Sequence, residues 1–457
     1  MSGSFLDLDV PPTLISFAIA PIKASTVLSP EFKEAGHPVY LFAPVDNTPE
    51  ATKAAWESFH ELHKAGKVRA AWAVENGLAE AVMKMSFGNN IGFKSCGTVK
   101  DAWYAAGMYD FIVAELCEDV ALTCTLKIGE TTAEPEIVLD GESATVAELL
   151  ALNEGKLEGV YPTTAPAKES ALGLPVFTYE GGTNAAPAVK VARPKVLIPV
   201  FPGTNCEYDS ARAVEAAGGE ADILVIRNLS ADDVARSVEA AVAKIAQSQM
   251  IFIPGGFSGG DEPDGSAKFI TAFFRNPAVK EGVTDLLERR DGLMCGICNG
   301  FQALIKLGLV PYGKIIDTDE SCPTLTFNTI SRHQSKLVRT RVCTNKSPWL
   351  SLAKVGDIYT VPISHGEGRF LASDELIRKL AANGQIATQY VDLDGAPTMD
   401  TAFNPNGSIC AIEGITSPDG RVLGKMGHSE RIGANLYRNV PGEYDIRMFE
   451  AAVKYFK

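Results

Sequence analysis

An apolar run from Leu293 to Ile297 leads into Cys298-Asn299-Gly300-Phe301-Gln302, so a cysteine stands between Gly296 and Gly300 where a strand turns into a helix. A side chain held at such a turn projects above the edge of a sheet from a strained backbone, which is how a nucleophile is presented. The helix N-terminus adds unpaired N–H groups and the positive end of its dipole, and both favour the thiolate that attacks carbonyl carbon. Far downstream, Gly427-His428-Ser429-Glu430 supplies an imidazole and a carboxylate two residues apart. In an extended segment these lie on one side, so Glu430 can bond one ring nitrogen of His428 while the other faces Cys298. Cys298, His428 and Glu430 then form a nucleophile, base and orienter for acyl transfer through a thioester.

The oxyanion of such a reaction needs two fixed donors about 3 Å away. The loop Pro254-Gly255-Gly256-Phe257-Ser258-Gly259-Gly260-Asp261 follows another apolar run, and its glycines let the backbone approach closely. The N–H of Gly256 is expected as one donor and that of Asn299, next after the nucleophile, as the other. Phe257, Gln302 (one helical turn past Cys298) and His365 in the loop Ser364-His365-Gly366-Glu367-Gly368-Arg369 are expected to contact the substrate. Blander readings compete. Cys298 as a core cysteine is disfavoured by its flanking glycines and the downstream His-x-Glu. Cys295-x-x-Cys298 as a redox pair or zinc site is disfavoured because there is one such pair and Cys295 lies within the strand; no metal is expected. Cys206, at the head of a helix, reads as packing at the domain edge, and His37, His60 and His63 read as solvated positions.

The elements that must position these residues follow from periodicity. Lys195 to Val200, Ala221 to Ile226 and Met250 to Ile253 read as strands, alternating with helices from Glu207 and Ala231. This alternation implies an α/β, doubly wound, mostly parallel sheet, and Phe201 to Asp209, Pro254 to Asp261 and Cys298 all occupy the edge at the carboxyl ends of its strands, where sites form. Asp357 to Ile363, Ser408 to Ile412 and Arg421 to Lys425 are expected to extend the sheet. Upstream, strand-like runs (Thr13 to Ala20, Val39 to Pro44, Phe111 to Leu116, Ala121 to Lys127) mix with amphipathic helices (Pro49 to Ala65, Gly77 to Met85, Thr145 to Asn153), which indicates an α+β domain. Residues 161–193, rich in Pro, Gly, Ala and Thr, read as a linker between a domain at 1–160 and one at 194–457.

A chain of 457 residues exceeds one ordinary core. Its net charge of −14 argues against a nucleic-acid surface, which needs clustered Lys and Arg. No apolar run reaches the ~20 residues of a membrane span, and the N-terminus has no signal core. Nine scattered cysteines lack the spacing of a disulfide framework, so reduced thiols and a cytoplasmic setting are expected.

The elbow from Gly296 to Gln302, the Pro254 to Asp261 loop and the His428/Glu430 pair resemble the triad (class I) glutamine amidotransferases. Phe201-Pro202-Gly203-Thr204-Asn205-Cys206, Gly255 to Asp261 and Ser364 to Arg369 resemble, more specifically, the glutaminase domain of phosphoribosylformylglycinamidine synthases, and this likeness spans essentially everything after Arg193. Val10-Pro11-Pro12-Thr13-Leu14-Ile15-Ser16-Phe17-Ala18 and Met85-Ser86-Phe87-Gly88-Asn89-Asn90-Ile91-Gly92 are similar to the synthase half-domain that precedes the glutaminase in the long, single-chain form, with the fold of the aminoimidazole ribonucleotide synthetase C-terminal domain. The resemblance implies that Cys298 attacks the amide of glutamine and that ammonia passes to a synthase using ATP and magnesium. It implies no cofactor in the glutaminase domain. The nucleotide sites are expected to be incomplete in this chain, which reads as a C-terminal fragment whose partner is the rest of the synthase. The family commonly places proline where Ser429 stands, and Glu75-Asn76 precede Gly77 where a glycine-rich turn is expected. Two alternatives are weighed: a catalytically silent assembly or regulatory domain, and the peptidase or deglycase branch of the same fold, which usually takes its histidine from the position where Asn299 stands.

Overall fold

The computed structural model describes residues 3–5, 8–10, 14, 16–160, 170–182, 186–257 and 266–457. The chain divides into two compact units, Met1–Tyr161 and Pro162–Lys457.

The first unit is built on a seven-stranded sheet in the order Val68–Ala73, Ile112–Leu116, Pro38–Phe42, Thr125–Thr132, Gly92–Ser95, Glu136–Leu139, Glu142–Thr145. Pairing is antiparallel except between Gly92–Ser95 and Glu136–Leu139. The period of two sorts its central strand: Val39 and Leu41 join the core with Leu78, Val82 and Met85 of the Leu78–Phe87 helix, whereas Tyr40 and Phe42 face Phe59 and Leu62 of the Pro49–Lys64 helix. Thr48 caps the latter helix ahead of Pro49, and Thr145 with Glu148 forms a capping box at the start of Val146–Gly155. Two sequence expectations need correction. In the run expected as a strand from Thr13 to Ala20, Thr13 and Ile15 lie outside the described residues; the others form no strand, and Leu14, Phe17 and Ile19 are exposed. The strand expected from Ala121 starts at Thr125, because the backbone N–H and hydroxyl of Thr125 both return to the Leu122 carbonyl and close a turn first.

The second unit carries a nine-stranded sheet. Its strands are β1 (Lys195–Val200), β2 (Glu220–Val225), β3 (Met250–Ile253), β4 (Leu293–Ile297), β5 (Gln334–Val342), β6 (Ile358–His365), β7 (Ile386–Val391), β8 (Ile412–Thr416) and β9 (Val422–Lys425), in the spatial order β2-β1-β3-β4-β9-β8-β7-β5-β6. The first five in that order are parallel, and the next four extend the sheet antiparallel. The architecture is α/β, but the expectation of a mostly parallel sheet is corrected to a mixed one. A parallel crossover needs a dozen or more residues, and the turn between Thr416 and Val422 is too short for it. Ser408 to Ile412, expected as a strand, is instead a 3-10 turn at Ile409–Ala411, with Cys410 and Ala411 at positive φ; the strand follows it. Every residue of β3 and β4 is buried, as helices cover both faces: Gly300 of Asn299–Leu307 stands against Ile253, and Phe449 of Met448–Tyr455 packs on Phe252.

The segment expected as a linker is not a free tether where it is described. Residues 170–182 run along the second unit: Ser170 Oγ bonds Asp374 at 2.6 Å, Gln389 bonds both Phe177 N and Pro175 O at 3.0 Å, and Tyr179 bridges Thr344. Its Pro- and Gly-rich composition prevents regular elements, so side chains of the second unit satisfy its backbone. All nine cysteines are free. Among the described residues no helix is long and apolar enough to cross a membrane.

Candidate active site

Four parallel strands, β1, β3, β4 and β9, release their chains at one sheet edge, and the candidate residues other than His365, which ends the antiparallel strand β6, stand in the segments that follow. Between β4 and the Asn299–Leu307 helix there is only Cys298, at φ +53° and ψ −108°. A non-glycine residue held there stores about 1–3 kcal/mol of strain. Its N–H donates to Lys425 O of β9 at 2.9 Å and its carbonyl accepts from Gln302 N at 3.0 Å, so both neighbouring elements fix the turn. The flanking glycines are sterically required: a Cβ at Gly296 would lie 2.5 Å from Gly300 C, and one at Gly300 would lie 2.0 Å from Ile253 O.

β9, paired with β4, leads directly to His428 and Glu430. His428 Nδ1 is 2.6 Å from Glu430 Oε1, and both side chains are buried. Burial alone would push the imidazole toward its neutral form. The Glu430 charge and hydrogen bond, together with the Cys206 and Cys298 sulfurs, outweigh this and raise the ring well above its ordinary value, while its buried Nε2 has no hydrogen-bond partner. A Cβ built on Gly255 would lie 2.6 Å from His428 Cε1 and 3.4 Å from Cys298 Cβ, so the two side chains converge on one backbone point. Burial would raise the Cys298 thiol, but the nearby His365 and His428 rings, by close polar approach and by charge, bring it down to about 6. Cys295, one turn of strand away and fully buried, is instead pushed well up by desolvation, which makes it an inert core thiol.

Gly256, at φ +142°, sits against the loop after β1: a Cβ there would lie 2.5 Å from Gly203 O. Phe257 N donates to Gly203 O and Asn205 N to Gly255 O, which makes Gly256 and Thr204 a non-hydrogen-bonded pair with the Gly256 N–H turned away from it. Ser258 to Asp261, the rest of that loop, lie outside the described residues. Gly256, Phe257, Cys298, Gln302 and His365 all line one cavity of about 530 Å³, with Arg332, His333 and Glu367 among its other walls. Phe257 is 46% exposed at its rim. Gln302 is tied at both ends of its amide, accepting from Asn299 Nδ2 at 2.9 Å and donating to Glu367 O at 2.5 Å, so it braces the elbow against the His365 loop.

Several residues at the site escape sequence reasoning. Cys206, expected to be packing at the domain edge, borders the His–Glu pair: its Sγ is 3.8 Å from His428 Nδ1 and accepts from Arg431 Nη2 at 3.2 Å. Cys206, His428 and Glu430 bring their ligand-type atoms within 4.8 Å of one another. Lys425 is 1% exposed; its Nζ donates to Gly427 O at 3.0 Å and Ser429 Oγ at 3.1 Å, and pairs with buried Glu413 at 3.5 Å. Ser429 therefore anchors the His428 loop through its hydroxyl. A lysine closing an otherwise apolar strand just before the histidine is the signal that marks this anchor. Glu367 was visible only as a loop acid, yet it is buried, holds Ser266 N, and leaves Oε1 unpaired.

The chain is similar to known proteins. Residues 193–456 match the model of the CobB/CobQ-like glutamine amidotransferase domain. The chain is similar to a phosphoribosylformylglycinamidine synthase subunit PurQ of Methanococcus maripaludis, 34% identical over 255 residues, which are 56% of this chain and 87% of the relative. It is also similar to the PurQ subunit of Methanocaldococcus jannaschii, 33% identical over 58% of this chain and 99% of the relative. Among solved structures, that of PurLQS from Thermotoga maritima aligns at 25% identity and a TM-score of 0.42, over 58% of this chain and all of that one. With more than half its length matched, the chain belongs to the CobB/CobQ-like glutamine amidotransferase family.

Proposed function

We propose that this chain hydrolyses glutamine through a cysteinyl thioester and supplies ammonia for the ATP-dependent conversion of formylglycinamide ribonucleotide to its amidine. The observation that carries the reading is the strained Cys298, held at a glycine-bounded elbow and lowered to about 6 by two imidazoles, in a chain of a glutamine amidotransferase family. Cys298 is the nucleophile, His428 the acid and base, and Glu430 its orienter. The sulfur attacks the side-chain amide carbon, and the N–H groups of Gly256 and Asn299 receive the oxyanion. Collapse expels ammonia with a proton from His428, leaving a γ-glutamyl thioester; water activated by His428 then releases glutamate. Phe257 and His365 form walls of the glutamine cavity with Gln302 bracing them, and the unpaired Glu367 Oε1 suits the α-ammonium of the substrate. The PurQ relatives are named as subunits of the synthase, which supports the fate of the ammonia. ATP and magnesium serve the synthase step, and the partner is the synthase portion that performs it. The first unit, through the motifs Val10 to Ala18 and Met85 to Gly92, is read as a synthase half-domain. Free cysteines suit a cytoplasmic setting.

The test is direct. Incubation with glutamine should release ammonia, and acid quenching should trap a glutamyl adduct on the peptide bearing Cys298, with both signals lost in Cys298→Ala. An adduct on another residue, or turnover surviving that substitution, would overturn the assignment. Synthase binding without turnover or adduct would identify a silent assembly domain instead.

A further inference from the structure

Cys206 takes no part in the chemistry above, yet it is fully buried at the head of the Glu207–Ala216 helix, beside the His–Glu pair. Its Sγ is 3.8 Å from His428 Nδ1, and that nitrogen is 2.6 Å from Glu430 Oε1. The ligand-type atoms of these three buried residues lie within 4.8 Å of one another. A tetrahedral zinc ion, with bonds of about 2.3 Å to sulfur and about 2.0 Å to nitrogen and oxygen, spaces sulfur and nitrogen about 3.5 Å apart and nitrogen and oxygen about 3.3 Å apart. The sulfur and the ring already stand near that spacing, and the carboxylate has to back away by about 0.7 Å. Its other oxygen, Oε2, is buried with no hydrogen-bond partner, where buried polar atoms ordinarily have one. Thiolate, imidazole and carboxylate make a zinc donor set, and the sulfur disfavours magnesium and calcium.

A way in exists that does not pass the nucleophile. Among the described residues, the walls of the glutamine cavity include none of the three. A second cavity, of about 780 Å³, reaches Glu430 instead, and its walls set the carboxylates of Glu430, Glu443, Asp445 and Glu450 against the guanidiniums of Arg212 and Arg447. That excess of acid draws cations. Arg431 opposes one, because its Nη2 donates to Cys206 Sγ at 3.2 Å. Its side chain is 32% exposed and its Nε lies 3.7 Å from Asp209, so it has a carboxylate to turn to when it leaves the sulfur.

We propose that Cys206, His428 and Glu430 form an inhibitory zinc site, entered from the second cavity, in which the ion ties up the base of the triad. On binding, Cys206 gives up its S–H proton and His428 its Nδ1 proton, both to solvent; Sγ, Nδ1 and a Glu430 oxygen donate lone pairs to the ion, and water fills the fourth position. The ring is left neutral with its proton on Nε2. There it has no lone pair to take a proton from water, and as a neutral ring it is a poor acid for the departing ammonia. Binding is independent of the glutaminase reading, whereas the inhibition rests on it.

The test uses the full chain, with cobalt(II) alone as the spectroscopic probe and zinc as the inhibitor. Cobalt should raise the near-ultraviolet absorption of a thiolate bound to the metal, and Cys298→Ala should keep that band while Cys206→Ser loses it. The zinc concentration that halves ammonia release should rise about 100-fold in Cys206→Ser. Glu430→Gln should keep the band but weaken cobalt binding by about tenfold, and it serves if Cys206→Ser does not fold. A band that survives Cys206→Ser or vanishes in Cys298→Ala overturns the proposal, as does zinc that leaves ammonia release untouched or inhibits the parent chain and Cys206→Ser alike. Failure of the glutaminase reading shows separately, as a metal-free parent chain that releases no ammonia while the cobalt band keeps its dependence on Cys206.

Discussion

Glu430 Oε1 lies 2.6 Å from His428 Nδ1, with the ring 3% and the carboxylate 0% exposed, so the pair meets without solvent screening. Desolvation opposes the imidazolium, and Glu430, by its charge and hydrogen bond, contributes most of what keeps it, with the Cys206 and Cys298 sulfurs adding to it. Glu430→Gln preserves shape and a hydrogen-bond acceptor but removes that charge. Ammonia release should fall by about 10³-fold at pH 7, with the chain still folded. The linkage has a definite sign. A histidine raised above its unfolded value of about 6.5 adds stability that is complete below that pH and lost as pH rises through the folded value. The urea-midpoint gap between the parent chain and Glu430→Gln should therefore be widest just below pH 6.5 and narrow above it. A gap that widens with rising pH would show that the ion pair is not what holds the ring.

The thiolate sets the acid limb of the reaction. With the Cys298 thiol at about 6, kcat/KM for glutamine should be level near neutrality and fall tenfold per pH unit below about 6. Cys295, raised by burial, provides the internal control, because it should resist iodoacetamide across the same range. Peptide mapping of the alkylated chain separates the two. Equal labelling of both cysteines would mean that the elbow does not activate its sulfur.

What the sequence discloses here is whatever depends on short-range pattern. The elbow was legible because an apolar strand, two glycines and a cysteine occupy neighbouring positions, and the His-x-Glu pair because two residues in extended chain share a side. The parallel half of the sheet followed from alternating strands and helices. Less visible was anything fixed by distant partners. The β8–β7–β5–β6 extension reverses direction because of connection length, Ser408 to Ile412 became a turn through positive φ at Cys410 and Ala411, and Cys206 reached His428 across 222 positions of sequence. Gln302 illustrates the same limit: helical spacing puts it one turn past the nucleophile, but only the fold reveals that both ends of its amide are already engaged.

Two glycines at the site should separate stability from catalysis. A Cβ at Gly300 would stand 2.0 Å from the Ile253 carbonyl, a backbone atom of a fully buried strand that cannot give way. Gly300→Ala should cost about 3 kcal/mol in urea denaturation. A Cβ at Gly255 would meet the His428 ring at 2.6 Å, and a ring can turn. Gly255→Ala should lose less than about 1 kcal/mol yet lower kcat by about 100-fold through misplacement of the imidazole. The reverse ranking would mean that the ring has no fixed position to lose.

Lys425 and Glu413 offer a test of how the His428 loop is anchored. The ammonium is 3.5 Å from the carboxylate, with both side chains at most 2% exposed, and it also donates to Gly427 O and Ser429 Oγ; Glu413 in turn accepts from Gly427 N at 2.6 Å and from Thr388 Oγ1. Lys425→Met strands a buried carboxylate and should cost about 3–5 kcal/mol. Removing the charge as well, in Lys425→Met/Glu413→Gln, should recover a large part of that loss, with a coupling energy above about 1 kcal/mol in a double-mutant cycle. Ammonia release should nevertheless stay low in the double variant, because neither glutamine nor methionine replaces the ammonium that fixes Gly427 and Ser429 on either side of His428. Strictly additive losses, or activity restored along with stability, would place the anchor elsewhere.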